Sequence, residues 1–509
     1  MTAQRLSSLR RFLATMHMGK WILGLGVAGV LLLLVLDLVG IGKPGFQAAQ
    51  ILGLEVAGLA ILLGVGMHKR PAGQTAEGDV AAEGPAQGAS NPGSIRWVLL
   101  GFMAVFISLF LQHMFWNSER RIRYFHSYVP DQAPIGSDLN WNTANIRGWL
   151  AGKGMDVGGV HYYPPLHAVL FAPIVLLRYP TDYYLMTSLT VASLAALSLL
   201  LPYLLGIRGR EGLAVFFFLT GIVSYGMQFE LERGQFNVVT YLLALLGIYV
   251  FHSWPSFRAL ALALFSAAVQ LKIYPSLLIL ALVDNRSSLK VNLLRLLGLG
   301  ALNAAFLFAL GPAAFGSFVN AVSSMAARRW GLPDQHSIRG FLSMLAARQP
   351  EILSEPAAAR LGNNIGAYEL VLYTIVAVCL GLLVVRAIKR GERGVNLDLL
   401  AVATLAAIVL PSISYDYTLA LVGPALGLCL AARPMPATTA RAVGQAALTS
   451  LAAAGYTVLL FPYSYRPLLL WNSCLPLLLI LAVLTALSML DGGAVVRVPT
   501  NQRLVSQTT

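Results

Sequence analysis

The polar side chains that could carry chemistry lie in five short segments of an otherwise apolar chain. The segments are G-S-D-L-N-W-N with Asp138; E-L-E-R-G-Q-F-N with Glu230, Glu232, Arg233, Gln235 and Asn237; L-K-I-Y-P-S with Lys272; Q-H-S-I-R-G-F with His336, Ser337 and Arg339; and P-S-I-S-Y-D-Y with Asp416. An isolated ionisable group in an apolar helix costs roughly 2.5–3.5 kcal/mol at the centre of a bilayer, so such groups usually face a cavity or one another. We therefore expect the five segments to meet in one polar pocket.

The composition indicates which kind of chain must position these segments. Of the 509 residues, 57% are hydrophobic and only 11% are charged, whereas a soluble protein carries about 25% charged residues. The apolar runs are close to the roughly 20 residues of a membrane-spanning helix and lack the alternation of a membrane barrel strand. The sequence therefore predicts an all-α polytopic membrane protein.

The charge and the metal-binding residue types exclude other classes. The net charge is +14, but the basic residues are scattered through short loops between apolar runs, which is typical of cytoplasmic loops and not of a nucleic-acid partner. Cys379, Cys429 and Cys474 lie inside apolar runs and form no disulfide framework. The histidines are dispersed, so no metal site is predicted.

The chain divides at a low-complexity stretch. Residues 1–70 predict an accessory transmembrane hairpin, and residues 71–95, rich in Gly, Ala, Pro and Glu, predict a disordered cytoplasmic linker. Residues 96–490 predict the main transmembrane module, and residues 491–509 a cytoplasmic tail. The predicted helices lie at about 21–39, 50–67, 97–116, 183–205, 213–229, 235–251, 258–271, 274–284, 293–310, 367–386, 397–411, 417–432, 444–461 and 467–489.

Basic loops orient these helices with both termini in the cytoplasm, which gives roughly 12–14 crossings. Two large external loops result, at 117–182 and 311–366. The apolar run at 164–177 is shorter than a span and begins with two prolines, so we expect an interfacial helix at the outer membrane face.

Both external loops are rich in arginine, which the positive-inside rule does not explain. Arginine and lysine bind phosphate through charge-assisted hydrogen bonds, so a lipid-linked phosphate is the expected ligand, with ordinary headgroup contact as the alternative. Lys272 also has two interpretations. It lies either in the pocket or at the outer interface, to which a lysine near a helix end can snorkel.

Five blocks of the sequence resemble those of a known family. The similar blocks are Y-Y-P-P-L-H-A-V-L-F-A-P at 162–173, G-Q-F-N at 234–237, L-K-I-Y-P-S-L-L-I-L at 271–280, Q-H-S-I-R-G-F at 335–341 and S-I-S-Y-D-Y at 412–417. In this order and at these spacings they resemble glycosyltransferase family 87, over about residues 97–490. The resemblance implies a GT-C fold and a polyprenyl-phosphate sugar as donor, typically the mannose derivative.

The resemblance implies roles for particular residues. Similar proteins place a catalytic carboxylate where Asp138 stands, and the transfer needs a base at the acceptor hydroxyl and cations at the departing phosphate. Asp131 and Asp156 are alternatives in the same loop, and Asp138 is alternatively a helix N-cap. The predicted phosphate-binding residues are Lys272, Arg339, Arg233 and His336. The predicted sugar-binding or acceptor-binding residues are Gln235, Asn237, Asp416, Tyr163 and Ser337.

Three of the binding roles have structural alternatives. Tyr415 and Tyr417 flank Asp416 where similar proteins often carry tryptophan and histidine, so Asp416 is alternatively an internally paired structural residue. Gln235 and Asn237 are alternatively partners in hydrogen bonds between helices.

The leading hypothesis is an inverting membrane glycosyltransferase. It would move mannose or another hexose from polyprenyl phosphate to a lipid or glycan acceptor, without a metal or cofactor, at the external face of a bacterial cytoplasmic membrane. One alternative is a ligase or polymerase that uses polyprenyl-diphosphate glycans. Another is a transporter or lipid flippase, which the lack of an internal sequence repeat disfavours.

Overall fold

The computed structural model describes residues 135–154, 161–207, 217–222, 224–284, 287–327, 335–347, 353–390, 394–433, 439–460, 474–491 and 493–496. The predicted hairpin, the linker and the helix at 97–116 lie outside the described residues. So do Asp131 and Asp156, the two rival carboxylates of the first external loop.

The described part of the chain is built almost entirely from helices. They are α1 (Ser137–Leu150), α2 (His167–Val175), α3 (Thr181–Leu204, with a π-helical turn at Ala196–Leu200), α4 (Tyr225–Arg233), α5 (Asn237–Ser253), α6 (Arg258–Leu271), α7 (Leu289–Phe306), α8 (Pro312–Ala327), α9 (Ile338–Ala347), α10 (Glu355–Asn363), α11 (Ile365–Arg390), α12 (Leu397–Val409), α13 (Val422–Ala432), α14 (Thr439–Leu460) and α15 (Cys474–Asp491). Short 3-10 helices span Pro255–Phe257, Tyr274–Leu282 and Asp416–Leu421.

Within the described ranges, three helices are long and apolar enough to cross a membrane, namely α3, α7 and α11. Only 17% of the apolar window of α7 and 28% of that of α11 is buried, so the exposed faces of these helices suit contact with lipid rather than with water. The pair α4 and α5 passes the same test together but bends by 108° at the break between them. With the apolar composition, these elements make the chain an all-α membrane protein.

Within the described ranges, fewer helices reach spanning length than the sequence predicts there. Up to four candidates occur in the described ranges, and five other apolar helices have only 10–17 residues. The predicted helix at 213–229 is interrupted, because the side chain of Ser224 accepts a hydrogen bond from the Met227 amide and starts α4 there. The predicted external loop at 311–366 contains α8, α9 and α10.

The apolar run at 164–177 forms the nine-residue helix α2. Nine residues rise about 13.5 Å at 1.5 Å each, less than half of the hydrocarbon core. One side of α2 is buried, with His167 and Phe171 among the buried residues, whereas Leu170 and Leu176 are exposed.

The core is centred on α12, whose 13 residues are all buried. A short antiparallel ladder, in which Val395 pairs with Val496, directly precedes its first turn. Asp398, fully buried, accepts hydrogen bonds from Arg433 at 2.6 Å and from the Ala494 amide at 2.7 Å. This end of α12 is therefore fixed by the C-terminal segment, and its other end reaches the pocket described below.

The close contact between α4 and the 3-10 helix Asp416–Leu421 gives a stability prediction. A Cβ atom at Gly226 would lie 2.5 Å from the Ala420 amide nitrogen, whereas a Cβ at Gly298 on α7 would meet nothing within 4 Å. Gly226→Ala should destabilise the protein by about 1–3 kcal/mol, because the clash is with backbone. Gly298→Ala is the matched control and should be neutral or stabilising by up to about 1 kcal/mol.

The measurement is thermal unfolding in lipid nanodiscs, monitored through the labelling of the buried thiols Cys429 and Cys474 as they become exposed. An equal midpoint for the two glycine variants would contradict the close packing of α4.

Candidate active site

A cavity of about 680 Å³ opens among the predicted polar segments, a size within the roughly 300–1,000 Å³ typical of small-molecule sites. The described residues that line it are Asp138, Trp141, Tyr162, Tyr163, Pro164, Phe229, Arg233, Gln235, Asn237, Lys272, Ile273, Tyr274, Phe318, Val322, Met325, Ala407, Pro411, Ser412, Ile413, Ser414, Tyr415, Tyr417 and Thr418. Asp138 is the only acid in this set.

The side-chain amide of Gln235 joins the acid to a lysine. Its Nε2 donates to Asp138 Oδ2 at 2.7 Å, and its Oε1 accepts from Lys272 Nζ at 2.6 Å. The nitrogen of one amide therefore binds the carboxylate, and the oxygen of the same amide binds the ammonium. The structure thus brings together three residues that the sequence places in three separate segments.

Two glycines allow this meeting. Gly136 is the N-cap of α1 with φ +76°, and Gly234 ends α4 with φ +65°. A Cβ at Gly234 would lie 2.8 Å from the Cβ of Leu139, and the Gly136 amide donates to the Glu232 carbonyl at 2.7 Å. The left-handed turns and the lack of side chains bring the start of α1 against the end of α4. Asp138 and Gln235, the residues just beyond these turns, consequently face each other.

Asp138 lies in the first turn of α1 and is not its N-cap, because Gly136 has that position. A carboxylate there is favoured by the positive end of the helix dipole. About a third of its side chain is exposed, and Arg233 Nη1 lies 4.0 Å from Oδ1. The carboxylate is therefore both held by the protein and accessible from the cavity.

Lys272 follows the last residue of α6 and is buried, so it does not snorkel. Its Nζ lies 4.6 Å from the ring centroid of Phe236, 5.1 Å from that of Tyr417 and 5.5 Å from that of Tyr163. The negative faces of aromatic rings stabilise a cation at such distances. Burial lowers the pKa of Lys272 to about 8, and the Glu230 and Asp138 carboxylates oppose this shift.

The remaining pocket residues predicted from the sequence are held by neighbouring groups. Arg233 packs over the Phe229 ring at 5.0 Å, and its Nη1 donates to Ser137 Oγ at 3.4 Å. Asn237 donates to the buried Glu230 carboxylate at 2.6 Å. The Tyr163 hydroxyl donates to Gln235 Oε1 at 3.5 Å. These contacts include the helix-to-helix bonds foreseen as the alternative for Gln235 and Asn237, although both residues also line the cavity.

Four predicted site residues do not line the cavity and lie behind its wall or away from it, namely His336, Ser337, Arg339 and Asp416. Asp416 is buried and bonded to His336 and to the Tyr225 hydroxyl. Tyr415 and Tyr417, its neighbours on either side, do line the cavity. The arrangement around Asp416 is the internal pairing that the sequence offered as the alternative.

Ser337 and Arg339 are similarly engaged. Ser337 Oγ accepts from the Gly340 amide at 2.9 Å at the start of α9 and donates to the Ser412 carbonyl at 3.2 Å. Arg339 makes a salt bridge to Glu369 on α11, with Nη2 to Oε2 at 3.1 Å. The segments at 335–341 and 412–417 pair through backbone, with the His336 amide donating to the Ser414 carbonyl at 2.8 Å.

Sequence reasoning missed a group of residues that hold or line the site. Asn142 Nδ2 lies 2.8 Å from His167 Nε2, a buried contact that ties α1 to α2. Trp141, Tyr162 and the apolar side chains of α8 line the cavity. Asn142 and Trp141 stand in the same motif as Asp138, and His167 in the tyrosine-proline-proline block, so the motifs contained the signal. Nothing in the sequence indicated that α8 would form a wall.

Comparison with known families gives one match. Residues 161–412 match the model of glycosyltransferase family 87, a range of about half of the 509 residues. It contains the first four motif blocks and reaches the fifth, and it confirms the family that the motifs resemble. Asp138 and Asp416 lie outside the matched range. Comparison with curated proteins and with solved structures found no match.

The environment of Asp416 predicts a structural role that can be measured. Asp416→Ala should lower the free energy of unfolding by about 1–3 kcal/mol, because His336 and the Tyr225 hydroxyl would lose a buried hydrogen-bond acceptor. Asp138→Asn is the comparison, since the side chain is partly exposed, and it should shift the free energy of unfolding by no more than about 0.5 kcal/mol. Thermal unfolding in nanodiscs distinguishes the two. An Asp416→Ala protein of unchanged stability would argue against the structural role.

Proposed function

Because this match identifies the chain as a member of glycosyltransferase family 87 and thereby as a membrane glycosyltransferase, we propose that it transfers a hexose such as mannose from polyprenyl phosphate to a hydroxyl acceptor. The observation that carries the proposal is the bridge from Asp138 through Gln235 to Lys272. It supplies a base and a cation within one cavity, and the proposal needs no cofactor besides the donor.

The proposed step is a single displacement. Asp138 removes the proton of the acceptor hydroxyl as the hydroxyl oxygen attacks the anomeric carbon of the donor sugar. The bond from that carbon to the phosphate oxygen breaks, and its electron pair leaves with polyprenyl phosphate. Lys272 and Arg233 stabilise the negative charge that develops on the phosphate. One displacement inverts the anomeric configuration of the transferred sugar.

The two unlike walls of the cavity support a lipid-linked donor. Asp138, Arg233 and Lys272 provide charged groups, whereas α8 contributes the apolar side chains of Phe318, Val322 and Met325. The stretch 312–327 has no charged residue. A ligand that suits both walls has an anionic sugar-phosphate head and an apolar tail, as a polyprenyl-phosphate sugar has. A sugar nucleotide would place a polar base and ribose against the apolar helix, which costs free energy.

We infer from the sequence on which face of the membrane the site lies. The basic loops between the apolar runs favour the cytoplasm, which would leave the site at the external face of a bacterial cytoplasmic membrane. The lipid carrier would then enter the pocket from the outer leaflet, and the acceptor would come from the external side.

Removal of the base gives the first test. Asp138→Asn should lower kcat about 10²-fold to 10⁴-fold, because general-base catalysis is lost while the amide can still accept from Gln235. The donor KM should change little. The assay offers purified protein in nanodiscs a panel of polyprenyl-phosphate and polyprenyl-diphosphate sugars and detects products by mass. Glu355→Gln, on the exposed first turn of α10, is the control. Undiminished turnover of Asp138→Asn would remove the mechanism, and activity with diphosphate donors alone would replace the donor class.

The lowered pKa of Lys272 gives a pH prediction. Its ammonium is present below pH about 8 and is lost above it, so kcat/KM for the donor should fall as the pH rises through this value. Lys272→Arg stays protonated because a guanidinium is always charged in proteins, so its kcat/KM should show no such alkaline limb. Lys290→Arg, on the exposed start of α7, should behave as the wild type. An alkaline limb unchanged in Lys272→Arg would contradict the assignment of Lys272 to the phosphate.

A further inference from the structure

Two aromatic side chains form a surface beside the proposed base. The rings of Trp141 and Tyr162 are stacked, with centroids 5.9 Å apart and planes inclined by 29°. Both side chains line the cavity and are half-buried. Trp141 follows Asp138 by three residues on α1, so the two side chains lie on the same face of the helix, one turn apart.

Different rings surround the cation. Lys272 lies over Tyr163, Phe236 and Tyr417, whereas Trp141 and Tyr162 stack on each other next to Asp138. The bridging amide of Gln235 stands between the carboxylate and the ammonium. Among the aromatic rings that line the cavity, Tyr163 and Tyr417 therefore lie at the ammonium, whereas Trp141 lies one helical turn from the proposed base.

The fold holds the pair in place. Tyr162 precedes α2 and Trp141 lies on α1, and these helices are joined by the buried contact between Asn142 and His167 at 2.8 Å. Arg147, further along α1, donates to the Leu177 carbonyl just beyond α2 at 2.8 Å. An aromatic surface fixed on two tied helices is preorganised for a rigid, flat ligand.

The chemistry of the surface selects the ligand. A hexose ring has polar edges and an apolar face of C–H groups, which packs on the negative face of an aromatic ring. The base must touch the acceptor hydroxyl, and Trp141 lies one helical turn from Asp138. The hexose that packs on Trp141 is therefore the sugar that carries this hydroxyl. A lipid alcohol or a serine side chain would have no face to place there.

We propose that Trp141 and Tyr162 form the acceptor subsite and that the acceptor is a hexose ring, the terminal sugar of a glycan. The inference rests on the proposed function, since it takes Asp138 as the base. It adds the chemical class of the acceptor. It also places the acceptor sugar, and not the donor sugar, on these two rings.

The kinetic test compares tryptophans on one helix. Trp141→Ala should raise the KM for a methyl hexoside acceptor roughly 3-fold to 10-fold, with the donor KM unchanged. Trp141→Phe should recover part of the loss. Trp149→Ala is the control, because Trp149 lies on α1 but does not line the cavity. The acceptors are methyl mannoside, methyl glucoside and methyl galactoside, with farnesol as the lipid alcohol.

The outcomes separate the acceptor class from the reaction. Transfer to farnesol but to no methyl hexoside would overturn the proposal, as would a raised donor KM or an unchanged hexoside KM in Trp141→Ala. If wild-type protein transfers no sugar at all, the proposed function fails, and binding still tests the subsite. Tryptophan fluorescence should then change on titration with at least one methyl hexoside in wild type and Trp149→Ala but not in Trp141→Phe. Equal responses in all three proteins, or none in any, would overturn the subsite.

Discussion

The site depends on one uncharged group between two charges, the amide of Gln235. A carboxylate and an ammonium in direct contact inside a protein would attract each other strongly, and each would satisfy much of the other's hydrogen-bonding capacity. The amide donates to Asp138 and accepts from Lys272, so it orients both charges while keeping them apart. A carboxylate has further acceptor sites and an ammonium two further donors. Both groups therefore keep capacity for a substrate.

The surrounding fold maintains this separation. Gly136 and Gly234 bring α1 and α4 into contact, and the 108° bend between α4 and α5 places Gln235 at the break. The aromatic rings around Lys272 shield the ammonium from water while stabilising its charge. Asp416 and His336 pair behind the wall, which leaves Tyr415 and Tyr417 facing the cavity. The charged groups of the motifs thus divide into those that line the cavity and those that hold its wall.

Much of this arrangement could be predicted from the sequence. Apolar runs gave the helices, and α6 begins and ends where the pattern placed it, at Arg258 and Leu271. The convergence of Asp138, Gln235 and Lys272 followed from the cost of isolated polar groups in apolar helices. This cost does not distinguish a pocket from an internal pair, because Asp416 avoids it by pairing with His336 and Arg339 avoids it by pairing with Glu369. Helix α8 was missed as a wall because an apolar helix beside a cavity has the same pattern as one beside lipid.

The most direct measurement is a cryo-electron microscopy structure of the protein in nanodiscs with a polyprenyl-phosphate sugar bound. We expect the phosphate within hydrogen-bonding distance of Lys272 Nζ, the sugar between Lys272 and Asp138, and the polyprenyl chain along Phe318 and Val322 of α8. A phosphate bound instead at Arg339 and His336, with Asp138 out of reach of the anomeric carbon, would contradict the proposed mechanism.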